Sequence, residues 1–283
     1  MSQPPNAGPD FSPPGFAPCY RHPERMTGIS CQRCKRPICG ECMNPASVGF
    51  QCPNCVASGR GSARAPRTAF GAVLKPGGGT ATKVIMGALA VEWVLNLVSG
   101  GLLNQLLVMS NEAVYAGQFW RLVTASLASG SLLGVLINLL MLWLAGRAIE
   151  SELGAWRFVM LYLAAGLGGT TLLFVFGPYG SGGFGAAAAV IGLLAANAIF
   201  KQKMREDVRA DIGLFILLIL YSILVGFRSF GWLMLVGGII VGALVGIVLA
   251  YAPRRNRSTA QVVGLLGVFT ICLVGVALKL MII

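Results

Sequence analysis

Residues 185–192 read Gly185-Ala186-Ala187-Ala188-Ala189-Val190-Ile191-Gly192. The run sits in the middle of a long apolar region and has no side chain able to hydrogen-bond. Small residues at helical spacing let helix backbones approach closely inside a bilayer. The run therefore predicts a tightly packed transmembrane helix, with Gly185 and Gly192 as packing positions. It also poses the chemical question for the rest of the chain, because a helix of methyl groups offers no nucleophile.

The surroundings carry the same signature. Of the 283 residues, 55% are hydrophobic and only 11% charged, and the mean hydropathy is +0.74. A soluble chain of this length would carry far more charge. Several apolar runs are long enough to cross a membrane. The net charge of +12 would suit nucleic acid in a soluble protein. In a membrane protein it reads instead as Lys- and Arg-rich cytoplasmic loops, and no basic–aromatic interleaving favours nucleic acid.

The cysteines divide the chain. Seven of the eight fall between Cys19 and Cys55, and the eighth is Cys272. Residues 1–18 are rich in Pro, Gly and Asn and read as a disordered tail without the apolar core of a signal peptide. A cytoplasmic N-terminus follows, and in that reducing compartment paired cysteines imply metal rather than disulfides. The pairs are Cys19 with His22, Cys31 with Cys34, Cys39 with Cys42 and Cys52 with Cys55. A two-residue gap lets both side chains of a pair reach one ion, and four pairs suffice for two closed, structural zinc sites. So short a module (residues 19–56) has little core, so metal would supply much of its folding energy. Arg33, Lys35 and Arg36 and the stretch from Met43 to Phe50 offer a surface for a cytoplasmic protein partner. Residues 57–81 read as a flexible basic linker whose charges can meet membrane lipid.

Residues 82–283 read as an all-α polytopic membrane domain. Helices are expected over about Thr82–Leu103, Leu132–Ala148, Phe158–Phe176, Gly185–Phe200, Ile212–Phe227, Gly231–Tyr251 and Thr259–Leu280. With the N-terminus inside, nine basic residues lie in cytoplasmic loops: Arg147, Arg157, Lys201, Lys203, Arg205, Arg209, Arg254, Arg255 and Arg257. The external loops hold two, Arg121 and Arg228. This bias predicts a cytoplasmic zinc module and an extracytoplasmic C-terminus in the cell membrane.

Several landmarks then fall in order: Phe119-Trp120-Arg121 in the long external loop, Asn138 in the second helix, Gly146 and Glu150 after it, Gly185-x6-Gly192 in the fourth helix, and Gly238-x3-Gly242 in the sixth. Over roughly residues 84–283 the chain resembles the rhomboid family of intramembrane serine proteases, in a bacterial form with a six-helix core and one added C-terminal helix. The zinc module resembles a B-box-type finger. That likeness implies a cross-brace, with Cys19, His22, Cys39 and Cys42 on one ion and Cys31, Cys34, Cys52 and Cys55 on the other. The rhomboid resemblance also places Ala187 where active relatives carry the nucleophilic serine. Leu235 stands at the histidine base. The His-x3-Asn pair of the oxyanion site becomes Gly134 and Asn138, and Ser129 occupies a position where many relatives have another histidine.

The chemistry agrees without any family. A serine nucleophile needs a neighbouring base, and His22 is the only histidine in the chain. Lys279 is the nearest lysine for a Ser–Lys pair and lies near the far end of the last helix. Glu92 is alone in its helix, so a carboxylate pair is missing, and no His-Glu-x2-His occurs. Ser129 and Ser181 remain as external serines without a base. Polar residues are too few to line a transport path. The reading is a catalytically inactive rhomboid-like protein that binds transmembrane segments of client proteins. A rhomboid endopeptidase with a non-standard site is the alternative. Glu92 and Asn138 are expected to make structural hydrogen bonds, Trp120 and Arg121 to anchor at the headgroups, and Gly238 and Gly242 to pack helices.

Overall fold

The computed structural model describes residues 15–62, 68–73, 79–209, 213, 215–216, 219–220, 230–253 and 255–282. The expected disordered tail, 1–18, falls mostly outside them, as does most of the expected fifth helix, 212–227. The chain divides into two units, Met1–Ala65 and Pro66–Ile283.

The first unit is small and loop-rich. Two antiparallel ribbons, β1 (Ala17–Pro18) with β2 (Met26–Thr27) and β3 (Asn44–Pro45) with β4 (Phe50–Gln51), precede helix α1 (Pro53–Ser62). Its core is mainly sulfur: Cys19, Cys31, Cys39, Cys42 and Cys52 are buried together with Ile38.

The second unit is mostly helical. Helix α2 (Thr80–Val98) ends at Gly100 and Gly101, both at positive φ. The long connection that follows is folded, with α3 (Leu102–Leu107), β5 (Met109–Ser110), α4 (Asn111–Tyr115) and α5 (Arg121–Thr124). Helix α6 runs over Leu132–Leu153, with a π turn at Leu142–Gly146. Then come α7 (Ala155–Phe176), β6 (Gly182–Gly183), α8 (Ala186–Met204), α9 (Gly231–Tyr251) and α10 (Arg257–Ile282). Among the described residues, α2, α6, α7, α9 and α10 are long and apolar enough to cross a membrane.

Two expected loops prove to be helix. Arg147, Glu150 and Glu152 belong to the last turns of α6, and Lys201 and Lys203 to α8. Their charges find partners within the fold. Glu150 is buried and accepts from the backbone N–H of Ala81 (2.9 Å), the N–H of Thr82 (2.7 Å) and the Thr82 hydroxyl (2.7 Å). It caps α2 from another helix, supplying negative charge where helix N–H groups lack partners. Lys203 bonds the Ala250 carbonyl and lies 5.0 Å from the Tyr251 ring.

The centre is built on α7, α8 and α9. A Cβ on Gly238 would lie 2.3 Å from the Ala188 carbonyl oxygen, and one on Gly242 would lie 2.3 Å from that of Gly192. One on Gly246 would meet the Ala196 Cα at 2.9 Å. The contacts repeat every four residues in the same direction on both helices, so α8 and α9 run parallel in backbone contact. Helix α7 closes the third side: a Cβ on Gly168 would strike Val241 at 2.4 Å, and one on Gly192 would strike Ala165 at 2.3 Å.

Residues 68–73 also depart from expectation. The sequence reads them as part of a flexible linker, but Phe70 is fully buried, its ring centroid 4.8 Å from that of Phe200. The Thr68 hydroxyl donates to the Glu152 carbonyl (2.6 Å) and Arg257 donates to the Ala69 carbonyl (2.7 Å). An aromatic side chain in a polar, glycine-rich run is too weak a signal to mark such a seat.

Two substitutions test this packing. Gly242→Ala forces a methyl into the Gly192 backbone and should cost about 1–3 kcal/mol. Glu150→Ala leaves two helix N–H groups buried without acceptors and should cost about 3 kcal/mol. Denaturant unfolding in detergent reads both.

Candidate functional site

The metal-ligating side chains of the first unit gather into two groups. Cys19, His22, Cys39 and Cys42 form one, and Cys31, Cys34, Cys52 and Cys55 the other, with the ligand atoms of each within 4.8 Å of one another. The pairs interleave along the sequence, first with third and second with fourth. His22 Nδ1 lies 3.3 Å from Cys39 Sγ and 3.5 Å from Cys42 Sγ, and Cys34 Sγ lies 3.7 Å from Cys52 Sγ. A tetrahedral ion with sulfur at ~2.3 Å sets its ligands about 3.8 Å apart, so these residues fit such an ion. All eight cysteines are free thiols.

The electrostatics point the same way. Burial pushes the Cys31 thiol up, but the backbone N–H groups of Cys34, Cys52 and Arg33 outweigh it and hold it at about 6. At Cys19 burial is likewise overcome by the amides of Arg21, Cys39 and His22, giving about 6. Their neighbours move the opposite way. Cys55 is pushed up to about 12, first by its bond to Cys52 and then by burial. Cys42 is pushed up to about 11 by burial and by the Cys19 and Cys39 sulfurs. Four sulfurs this close cannot all ionise without a cation, and a bound divalent metal removes the conflict.

In the second unit, the α8–α9 contact brings the Ala187–Ala188 and Leu235–Gly238 stretches to one level of the bundle. Ala187 is half-buried at the start of α8, and Leu235 is buried. The start of α8 is pinned by hydrogen bonds from the Gly185 N–H to the Ala125 carbonyl (2.8 Å) and from the Ala186 N–H to that of Ala128 (3.4 Å). Asn138 is buried on α6 and donates to the Ser129 hydroxyl at 3.3 Å. Gly134, one turn earlier, donates its N–H to Ser131, which caps α6. Phe184 packs on Gly130: its ring would stand 2.4 Å from a Cβ there.

Other polar expectations are revised. Glu92 is buried, and neither carboxyl oxygen is hydrogen-bonded among the described residues; the carboxyl faces the Ser129 amide without closing a bond. Arg121 is buried. It braces the connection between α2 and α6 by donating to Gln118 Oε1 (2.7 Å), the Val108 carbonyl (2.8 Å) and the Gln105 carbonyl. Ser181 donates to the Pro178 carbonyl (2.7 Å) and accepts from Asn111 (2.9 Å), which ties the α2–α6 connection to the α7–α8 connection. Sequence reasoning missed Asn111, Tyr162 and Gln261. Each is a polar residue whose buried partner lies tens of residues away: Ser181 for Asn111, the Ser126 carbonyl for Tyr162 and Arg157 for Gln261. No local pattern marks such pairs.

A sequence profile of the rhomboid domain matches residues 116–252, the span from the α2–α6 connection through α9. The chain carries a rhomboid domain. It is 31% identical over 154 residues, 53% of its length, to rhomboid protease GluP of Bacillus subtilis (strain 168). That match covers 30% of the relative's own length. The rhomboid span holds Ser129, Gly134, Asn138, Ala187 and Leu235; the metal-ligand groups lie outside it. With this domain and its several long apolar helices, the chain is a membrane protein.

Elemental analysis of the purified full chain should give two metal ions per chain. Cys31→Ser should remove one while leaving the Cys19 group loaded.

Proposed function

We propose that this rhomboid-family chain is not a protease and that its bundle binds transmembrane segments of client membrane proteins. The observation that carries the reading is the pair Ala187 and Leu235. They stand at the positions that the rhomboid resemblance assigns to nucleophile and base, on the two helices that the Ala188–Gly238 contact joins. A methyl group cannot attack a carbonyl and an isobutyl group cannot take a proton. His22, the only histidine of the chain, lies in the other unit. The retained Asn138 is turned to Ser129, where it fixes the loop ahead of α6.

The ions of the first unit are zinc in this reading. Three thiolates with one imidazole, and four thiolates, are donor sets that suit its tetrahedral preference and leave no position for substrate. The module is then structural, and its exposed Val48 and Phe50 form the surface for a cytoplasmic protein partner. In this reading the module lies in the cytoplasm and the C-terminus outside, which the basic residues of the expected inner loops support.

A second reading is a rhomboid endopeptidase with a non-standard site. It is favoured by the gathering of Ser129, Asn138 and Glu92, and by the protease among the relatives. Against it, Ser129 is 2% exposed and its hydroxyl is engaged by Asn138. Purified protein in detergent should neither cleave a fluorogenic transmembrane substrate nor take up a serine-directed fluorophosphonate. Saturable labelling lost in Ser129→Ala would overturn the inactive reading in favour of the second.

A further inference from the structure

The two metal-ligand groups of the first unit differ in what surrounds their sulfurs. In the group with His22, the three cysteines Cys19, Cys39 and Cys42 are all buried. In the other, Cys31 and Cys52 are buried, Cys55 is half-buried and Cys34 is exposed. The backbone also holds the buried pair. Cys31 Sγ accepts from the Cys52 N–H at 3.2 Å, and Cys52 Sγ accepts from the Cys55 N–H at 3.3 Å. Among the described residues Cys34 Sγ accepts from no N–H, and Cys52 Sγ lies 3.7 Å from it. An N–H bond to a thiolate stabilises its charge and blunts its attack. Cys34 therefore combines exposure with a sulfur that no amide has quieted.

Its surroundings are basic. The turn that carries Cys34 is closed by bonds from the Lys35 N–H to the Cys31 carbonyl (2.8 Å) and from the Cys31 N–H to the Arg36 carbonyl (2.8 Å). Arg33, Lys35 and Arg36 are exposed on it. No Asp or Glu occurs between Arg25 and Gly40 or between Cys42 and Ser62, and Glu41 is paired with Arg25 at 2.6 Å. An exposed sulfur beside cations is the setting in which a cysteine reacts, and the same cations draw anionic reagents.

We propose that Cys34 is a modification site for small anionic disulfides and that Cys52 resolves the adduct. The four-sulfur group then gives up its ion while the His22 group keeps its own. The proposal rests on the reading that both groups hold metal, and on nothing in the bundle. The Cys34 thiolate attacks one sulfur of the reagent. A bond from Cys34 to that sulfur forms, the reagent's S–S bond breaks, and one small thiolate leaves. The Cys52 thiolate, 3.7 Å away, then attacks Cys34 Sγ and expels the second small thiolate. Two protein thiolates are oxidised to one disulfide, and the reagent's disulfide is reduced to two thiolates. Cys31 and Cys55 remain, too few ligands for a closed tetrahedral site.

The test uses the metal-loaded full chain in detergent, with glutathione disulfide as the anionic probe and cystamine as a cationic one. A metallochromic dye reads released metal, and mass spectrometry maps adducts and disulfides. Glutathione disulfide should release one of the two ions, with a glutathione adduct on Cys34 first and a Cys34–Cys52 disulfide afterwards. Lys35→Gln combined with Arg36→Gln should slow that release about threefold or more and leave release by cystamine as fast or faster. Both ions leaving together, a first adduct on another cysteine, or a Cys31–Cys34 disulfide in place of Cys34–Cys52 would overturn the proposal. So would a four-sulfur group that resists the probe as well as the His22 group does. A chain that carries no ion before treatment would sink the metal reading, and this proposal with it.

Discussion

The contact of α8 with α9 is the constraint on which the membrane unit depends. In a bilayer, lipid chains are as apolar as leucine side chains, so helices gain little by hiding apolar surface from water. They gain by dispersion when backbones come close. Ala188 against Gly238, Gly192 against Gly242 and Ala196 against Gly246 give that approach over three successive turns. Helix α7 joins through Gly168 and Gly169, whose missing side chains admit Val241 and the Met234 carbonyl. The price is chemical blankness: the run of α8 that packs most tightly is the run with nothing to react.

Polar residues then hold the edges of this apolar centre. Glu150 caps α2, Tyr162 ties α7 to the Ser126 carbonyl at 2.7 Å, and Thr170 ties it to that of Leu122 at 2.7 Å. Asn111 and Arg121 brace the connection between α2 and α6. Each satisfies groups that water cannot reach, which is why charged and amide side chains persist in so apolar a chain. Glu92 stands apart, since its carboxyl is buried beside Ser129 with no hydrogen bond among the described residues.

The two units are stabilised by different physics. The first has a core mainly of cysteines, whose crowded thiols a bound cation would let ionise together. The second closes on apolar side chains and close backbone contacts. The segment 68–73 belongs to the second in its contacts, though composition assigns it to a linker. Phe70 against Phe200, Thr68 on the Glu152 carbonyl and Arg257 on the Ala69 carbonyl seat it among residues far away in sequence.

The amino-acid sequence by itself determined the membrane character, the long helices and the eight cysteine and histidine side chains that could hold metal. These follow from hydropathy, length and two-residue spacing, all local properties. It also determined that no histidine can serve as a base in the membrane unit. Tertiary structure decided which ligand pairs share a site, which charges cap or brace helices and not loops, and that Phe70 is core. It also decided that Ala188 meets Gly238 and Asn138 turns to Ser129. These are contacts between residues from nine to nearly two hundred positions apart, and only the packed chain brings them together.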